Sequence, residues 1–221
     1  DGYWSRGLGD VYKRQLMASA VPYCRAWDPA YAYELASIIR HGIDEMWGEN
    51  LDVFHYVMLY NENQQQMPKP PDVDDGIVRG AYKIEELGEG RKKIRLLGSG
   101  PILRYVREAA SELLSEHGIS SEVWSVTSYG ELRREGLEHE RSRRLNPEIS
   151  EEPYVSRCFG DETPTVATSD YICSVPEMIQ RWIGGRYIVL GTDGFGRSDT
   201  REALRSLSLI HISEPTRPIA I

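Results

Sequence analysis

The strongest periodicity in the chain is in GPILRYVREAASELLSEHG. Ile102, Leu103, Val106, Ala109, Ala110, Leu113 and Leu114 recur at three- and four-residue spacing, which lays one apolar face along a helix, and Gly118 follows as its C-cap. A second stripe comprises Ala32, Leu35, Ala36, Ile39, Ile43, Met46 and Trp47; Asp28 predicts its N-cap, Pro29 its first helical position and Gly48 its end. The run LDVFHYVMLY (residues 51–60) is apolar at both parities and predicts a strand buried on both sides. Shorter runs at 93–97, 122–126, 164–168 and 186–190 predict strands, as does the weakly alternating stretch 81–87. Ser128 and Glu131 form a capping box for a short helix, and 175–183 predicts another. Strands alternating with helices give an α/β sheet with helices packed on it. No internal repeat is visible.

Polar breaks divide this pattern. NENQQQMPKPPDVDDG (residues 61–76) is rich in proline and amides and reads as an interdomain connector. DGYWSRGLGDVYKRQ at the start and SLIHISEPTRP near the end have no regular period. Both resemble translated sequencing-adapter sequence, so residues 1–15 and 208–221 are expected to be foreign tails and the chain a fragment.

Composition narrows the function classes. Hydrophobic residues are 40% of the 221 and charged residues 27%, as in folded domains. Against 34 Asp and Glu stand 26 Lys and Arg, a net charge of −8. That disfavours nucleic acid as a partner, because phosphate binding needs a basic surface. No apolar run approaches the ~20 residues that cross a bilayer, so no membrane partner is expected. Cys24, Cys158 and Cys173 are odd in number and far apart, suggesting neither a disulfide framework nor a zinc site, and a reducing cytoplasm is the simplest setting.

Candidate chemistry is sparse. In GTDGFGRSD (residues 191–199) glycines stand between a strand and a helical run, the place where phosphates are often held. The spacing matches neither common phosphate motif. Asp199 and Glu202 fill the positive helix end, with Asp193 close by, so the stretch reads as a structural corner. Ser99 in GSGP reads as a cap for the helix starting at Pro101, and EHERSRR (residues 138–144), with His139, as a solvated loop. None of the five histidines stands in a recognised metal motif. No catalytic, cofactor-binding or metal-binding residue is assigned on these grounds.

Six ordered blocks carry a family resemblance: VPYCRAWDPAYAYELA (21–36), YNENQQQMPKPP (60–71), GIVRGAYKIEE (76–86), LLGSGPILRYVREAA (96–110), VWSVTSYGELRREG (123–136) and LGTDGFGRSDTREALR (190–205). Together they resemble the C-terminal part of pyruvate dehydrogenase (acetyl-transferring), the thiamine-dependent decarboxylating component of the homodimeric bacterial type. The loop from Glu138 to Asn146 departs from that pattern. The resemblance implies that residues 16–66 end a thiamine pyrimidine-binding domain and 67–79 are a linker. Residues 80–207 would then form a transketolase-type C-terminal domain, a mixed sheet covered by helices. It implies oxidative decarboxylation of pyruvate with thiamine diphosphate and magnesium, and acetyl transfer to lipoyl groups of a dihydrolipoyl acetyltransferase. The family's activating glutamate, substrate histidines and Gly-Asp-Gly…Asn metal motif match no position here. Asp193-Gly194 only superficially resembles the last, since the final asparagine is Asn146. The chain alone is therefore expected to be inactive. Two readings stand beside this one: another thiamine enzyme, such as transketolase or a 2-oxoglutarate-type dehydrogenase, and a non-catalytic assembly domain.

Overall fold

Successive strand residues point to opposite faces of a sheet, and Leu96 and Leu97 show what each face of the main sheet meets. In the computed structural model, which describes residues 15–60 and 64–192, Leu96 packs with Val106, Ala110 and Val123. Leu97 packs on the other side with Leu132, Val155, Phe159 and Ile179. Both are buried, as a strand covered by helices on both faces requires.

The chain builds two sheets. Strand β1 (Cys24–Trp27) pairs in parallel with β2 (Phe54–Val57), with Cys24 opposite Phe54. Between them run α1 (Ala32–Ile43) and a π-helical turn (Asp44–Gly48). After the connector come α2 (Asp74–Arg79), β3 (Ala81–Leu87) and β4 (Lys93–Gly98). A 3₁₀ turn (Gly100–Ile102) leads into α3 (Leu103–His117), then β5 (Ser120–Val126), α4 (Tyr129–Leu145) and α5 (Tyr154–Phe159). Strand β6 (Thr165–Thr168), a 3₁₀ stretch (Pro176–Trp182) and β7 (Tyr187–Leu190) complete the described chain. The second sheet has the order β3-β5-β4-β6-β7, with β3 antiparallel to β5 and every other pair parallel. This is the mixed sheet that the family resemblance implied.

Several helix ends follow directly from sequence. Gly118 adopts φ 61° and donates its N–H to Leu113 and Leu114 carbonyls, closing α3 as expected. Ser128 caps α4 by accepting from the Glu131 N–H at 3.0 Å.

Other expectations are corrected. The apolar stripe of α1 is not its buried face: Ile39, Ile43, Met46 and Trp47 are exposed, Trp47 by 86%. The buried side is Tyr31, Glu34, Ile38, Gly42 and Glu45: Ile38 packs with Trp27, Val73 and Ile77, while Glu34 and Glu45 meet hydroxyl and imidazole groups. The strand expected over residues 51–60 is only Phe54–Val57, and it is half open, with Phe54 52% exposed. The linker expected over residues 67–79 contains α2, whose Ile77 and preceding Val73 pack against Trp27, Ile38 and Tyr82. Helix α4 runs through EHERSRR, so that segment is helix and not loop. Both His139 ring nitrogens are shielded from solvent instead of solvated. The expected tails, apart from Gln15, and the corner from Asp193 onward lie outside the described residues.

Candidate functional site

In an open parallel sheet, ligands bind beyond the carboxyl ends of the strands, where the strand order reverses. Here β4 leads through α3 to β5 on one side, while β6 lies on the other side of β4. The reversal therefore falls between β4 and β6. The segments leaving these strands, Ser99-Gly100-Pro101 and Ser169-Asp170-Tyr171, wall the crevice. Ser99 Oγ donates to Ser169 Oγ at 3.3 Å, and Ser169 Oγ accepts from the Tyr171 N–H at 3.1 Å.

The crevice is filled by the chain's own N-terminal unit. Asp28, 2% exposed, follows β1 directly and enters it. Tyr60 donates its hydroxyl to Asp28 Oδ1 at 2.6 Å and lies 2.9 Å from the Tyr171 hydroxyl. The Asp28 N–H donates to Thr127 O at 2.7 Å, and its carbonyl accepts from the Gly100 N–H at 3.2 Å. Gly100 has φ +50°, and a Cβ there would sit 2.5 Å from Asp28 Oδ1, so only glycine fits. Burial pushes the Asp28 carboxyl up to about 7, against the hydrogen bond from Tyr60 and the nearby Ser99 hydroxyl. Asp28 and Ser99 were both expected to cap helices. Neither does: α1 is capped from Tyr31, and the Ser99 hydroxyl is turned to the crevice.

Glu34 anchors the same joint from α1. It is 0% exposed. Its carboxylate accepts from the Ala30 and Tyr31 N–H groups, from the Tyr82 hydroxyl at 2.6 Å and from the Ser125 hydroxyl at 2.7 Å. Burial pushes it up while these four donors pull it down. Ser128 Oγ adds a bond to Ala26 O at 2.7 Å.

A charged network crosses the joint nearby. Arg25 bridges Glu131 at 2.9 Å and Glu45 at 3.4 Å. Glu45 also lies 3.4 Å from His41 Nε2, one helical turn back, and 3.0 Å from His55 Nε2. His55 Nδ1 accepts from the Trp27 indole N–H at 2.9 Å, which fixes its tautomer. Burial pushes the His55 imidazole down, against the pull of Glu45. Sequence reading passed over these groups because their partners are tens of residues apart; only His41 and Glu45, at helical spacing, could have been paired in advance.

Two hollows lie outside the crevice. One of about 180 Å³ is lined by Cys24, Glu131, Arg134 and Met178 among others. The other, about 420 Å³, is lined by Arg95, Trp124, Tyr154, Arg157, Cys158 and Asp161. In the latter the Arg95 guanidinium is already held by Glu122 at 3.0 Å and by both Asp161 oxygens. Neither the filled crevice nor the hollow at Arg95, whose guanidinium is already paired, fits a diphosphate with its metal. The switch-point crevice is filled and its charged neighbours, Asp170 and Glu34, are acidic. Among the described residues no group of three or more His, Cys, Asp or Glu side chains could hold a metal ion. Nor is any described helix long and apolar enough to cross a membrane.

Comparison with known proteins agrees with this architecture. The family model of the transketolase-like C-terminal domain matches residues 80–209, and that of the pyruvate dehydrogenase E1 component middle domain matches residues 8–67. The pyruvate dehydrogenase E1 component of Pseudomonas aeruginosa is 47% identical over 195 residues, covering 86% of this chain. Those of Escherichia coli K12 and Mycobacterium tuberculosis are 43% and 42% identical over the same share. The chain spans about 22% of the length of the first two and 21% of the third. Among solved structures, transketolase from Campylobacter jejuni matches with a TM-score of 0.59 at 16% identity, covering 90% of this chain and 26% of that one. A split-gene transketolase described as an inactive β4 tetramer matches at 0.55 and 15% identity, covering 89% of this chain and 57% of that one. These two likenesses are of fold.

Proposed function

The chain belongs to the family of the transketolase-like C-terminal domain, in the form carried by pyruvate dehydrogenase E1 components, and we propose that it serves such a component as a scaffold. The whole protein then decarboxylates pyruvate oxidatively in the cytoplasm, as a homodimer, and passes acetyl to the lipoyl groups of a dihydrolipoyl acetyltransferase. Residues 16–66 are the end of the pyrimidine-binding domain, 67–79 the linker and 80–207 the C-terminal domain. The observation that carries this reading is the order of the two matches on one chain, middle domain before C-terminal domain, at 47% identity to a named relative. The transketolases share the fold at 16% identity, which supports the alternative enzyme less.

Thiamine diphosphate, held with magnesium elsewhere in the whole protein, supplies the carbanion chemistry when bound. Among the described residues no group of metal-ligating side chains is present to hold it, and the part we assign to them is positional. Glu34 and Asp28 lock the β1–α1 unit onto the five-stranded sheet, which fixes where the rest of the middle domain stands.

Two measurements test the proposal. Residues 21–192 of this chain, exchanged for the matching segment of the Pseudomonas aeruginosa relative, should leave pyruvate-dependent decarboxylation within about tenfold of the parent. The single-site changes with large catalytic costs are those that remove preorganised groups, and none is transferred. A folded chimera with activity reduced a thousandfold would reject the reading. Titration calorimetry of this chain alone with thiamine diphosphate and magnesium should give no saturable heat. Micromolar binding would place a cofactor site in this chain and refute its scaffold role.

A further inference from the structure

We propose that the switch-point crevice between β4 and β6 is a receptor for the neutral carboxylic acid of Asp28, so that seating the β1–α1 unit on the C-terminal sheet takes up one proton. The placement comes first. A crevice of the kind that binds ligands in open α/β sheets is occupied by a side chain of the same polypeptide, buried to 2% and abutting Gly100.

The chemistry of the lining comes second. Asp28 forms no ion pair among the described residues. Its side-chain hydrogen-bond partner is the hydroxyl of Tyr60, from the segment after β2, and the Ser99 hydroxyl, from the loop after β4, stands beside it with its own proton given to Ser169 and its lone pairs free to accept. A hydroxyl accepts as readily as it donates, so this pair accommodates a protonated carboxyl. The titratable groups that face Asp28 from the other packed elements are Tyr171 and Asp170 after β6, Tyr129 on α4 and Glu34 on α1. None of them is a cation, and two are acidic. A lone buried carboxylate costs several kcal/mol, and the group neutralises instead. Glu34 provides the internal contrast. Its carboxyl is raised by burial as well, but two of its four donors are backbone N–H groups, which can only donate, whereas Asp28 is lined by hydroxyls that can also accept.

The rise of the Asp28 carboxyl from 3.8 to about 7 agrees with this geometry. The folded carboxyl is neutral up to about pH 7, whereas the free one ionises near pH 4. Between those values the folded state holds one proton that the unfolded state lacks. The contribution is complete below about pH 4 and lost as pH rises, the folded-to-unfolded ratio falling roughly tenfold per pH unit until about pH 7. The joint is thus a latch that tightens on acidification.

Urea unfolding of the full chain and of Asp28→Asn from pH 4.5 to 8.5 tests it. The amide copies the neutral acid, donating and accepting without a charge. The native ratio should fall about tenfold per pH unit relative to Asp28→Asn between pH 4.5 and 7, and the variant should be the more stable at pH 8. Parallel curves would overturn the proposal. If Asp28→Asn does not fold, infrared spectra of the native chain decide. A neutral carboxyl C=O band present at pH 5.5 and bleached at pH 8.5 supports the latch, and no such band at pH 5.5 refutes it.

Discussion

Glu34→Ala is expected to destabilise the chain by about 4 kcal/mol. The estimate follows from what the substitution leaves behind. Four donors converge on one carboxylate that is out of contact with solvent. Each buried donor left without an acceptor costs roughly 1–3 kcal/mol. The Tyr82 hydroxyl can turn to Tyr33, 2.6 Å away, and Ser125 can rotate. The Ala30 and Tyr31 amides cannot, since backbone N–H groups have fixed directions, and the vacated space adds a cavity term. Relief of the cost of burying the charge offsets part of the sum. Urea unfolding at pH 7 should show a lower midpoint at unchanged slope, with Glu34→Gln falling between because its amide oxygen keeps one side of the acceptor set. A Glu34→Ala midpoint equal to that of the native chain would mean that the carboxylate contributes nothing to the joint.

Leu97→Ala should cost about 3–4 kcal/mol, the middle of the range for a fully buried leucine. The residue sits on β4, hydrogen-bonded to β5 on one side and β6 on the other, with its side chain in the largest buried cluster. Phe54→Ala is the matched control. Phe54 is half exposed on a two-stranded sheet, and removing it from this chain should change stability by under about 0.5 kcal/mol. Equal costs would mean that Phe54 is covered in solution, and sedimentation at two concentrations would then show self-association.

How far these elements could be read in advance depended on where their partners lay. Helix α3 was legible because its apolar stripe faces an apolar sheet and Gly118 ends it, so local pattern and tertiary packing agree. Strands β3 to β7 were legible for the same reason. Helix α1 was legible from its apolar stripe, but that stripe is its open face, and the side it packs on the sheet was not legible. Its inner face is mixed, Ile38 between the carboxylates of Glu34 and Glu45, and the role of those carboxylates appears only once Tyr82, Ser125, Arg25 and His55 surround them. Asp28 looked like a cap, since Asp before Pro ahead of a helical run is the usual signal. Nothing local indicates that the loop after β4, about seventy positions away, needs an acid there. The connector helix α2 was missed because six residues with two apolar positions carry no measurable period.

The bonds that join the two units also constrain the order in which the protein can be made. Tyr60 and its partner Tyr171 are 111 residues apart, Glu34 and Ser125 are 91, and Ala26 and Ser128 are 102. A ribosome adds roughly 5–20 residues per second, so Tyr60 waits about 6–20 s for Tyr171. At the start of that interval β1, α1 and β2 are complete as sequence, but Tyr60 has no partner beyond Asp28 until Tyr171 is made, and Glu34 gains the Tyr82 and then the Ser125 hydroxyl only on the way. Their apolar outer stripe is exposed throughout. The contacts of this unit with the later sheet are therefore completed only after residue 171 is made, and nascent chains stalled between residues 60 and 171 present the surface that chaperones and aggregation compete for.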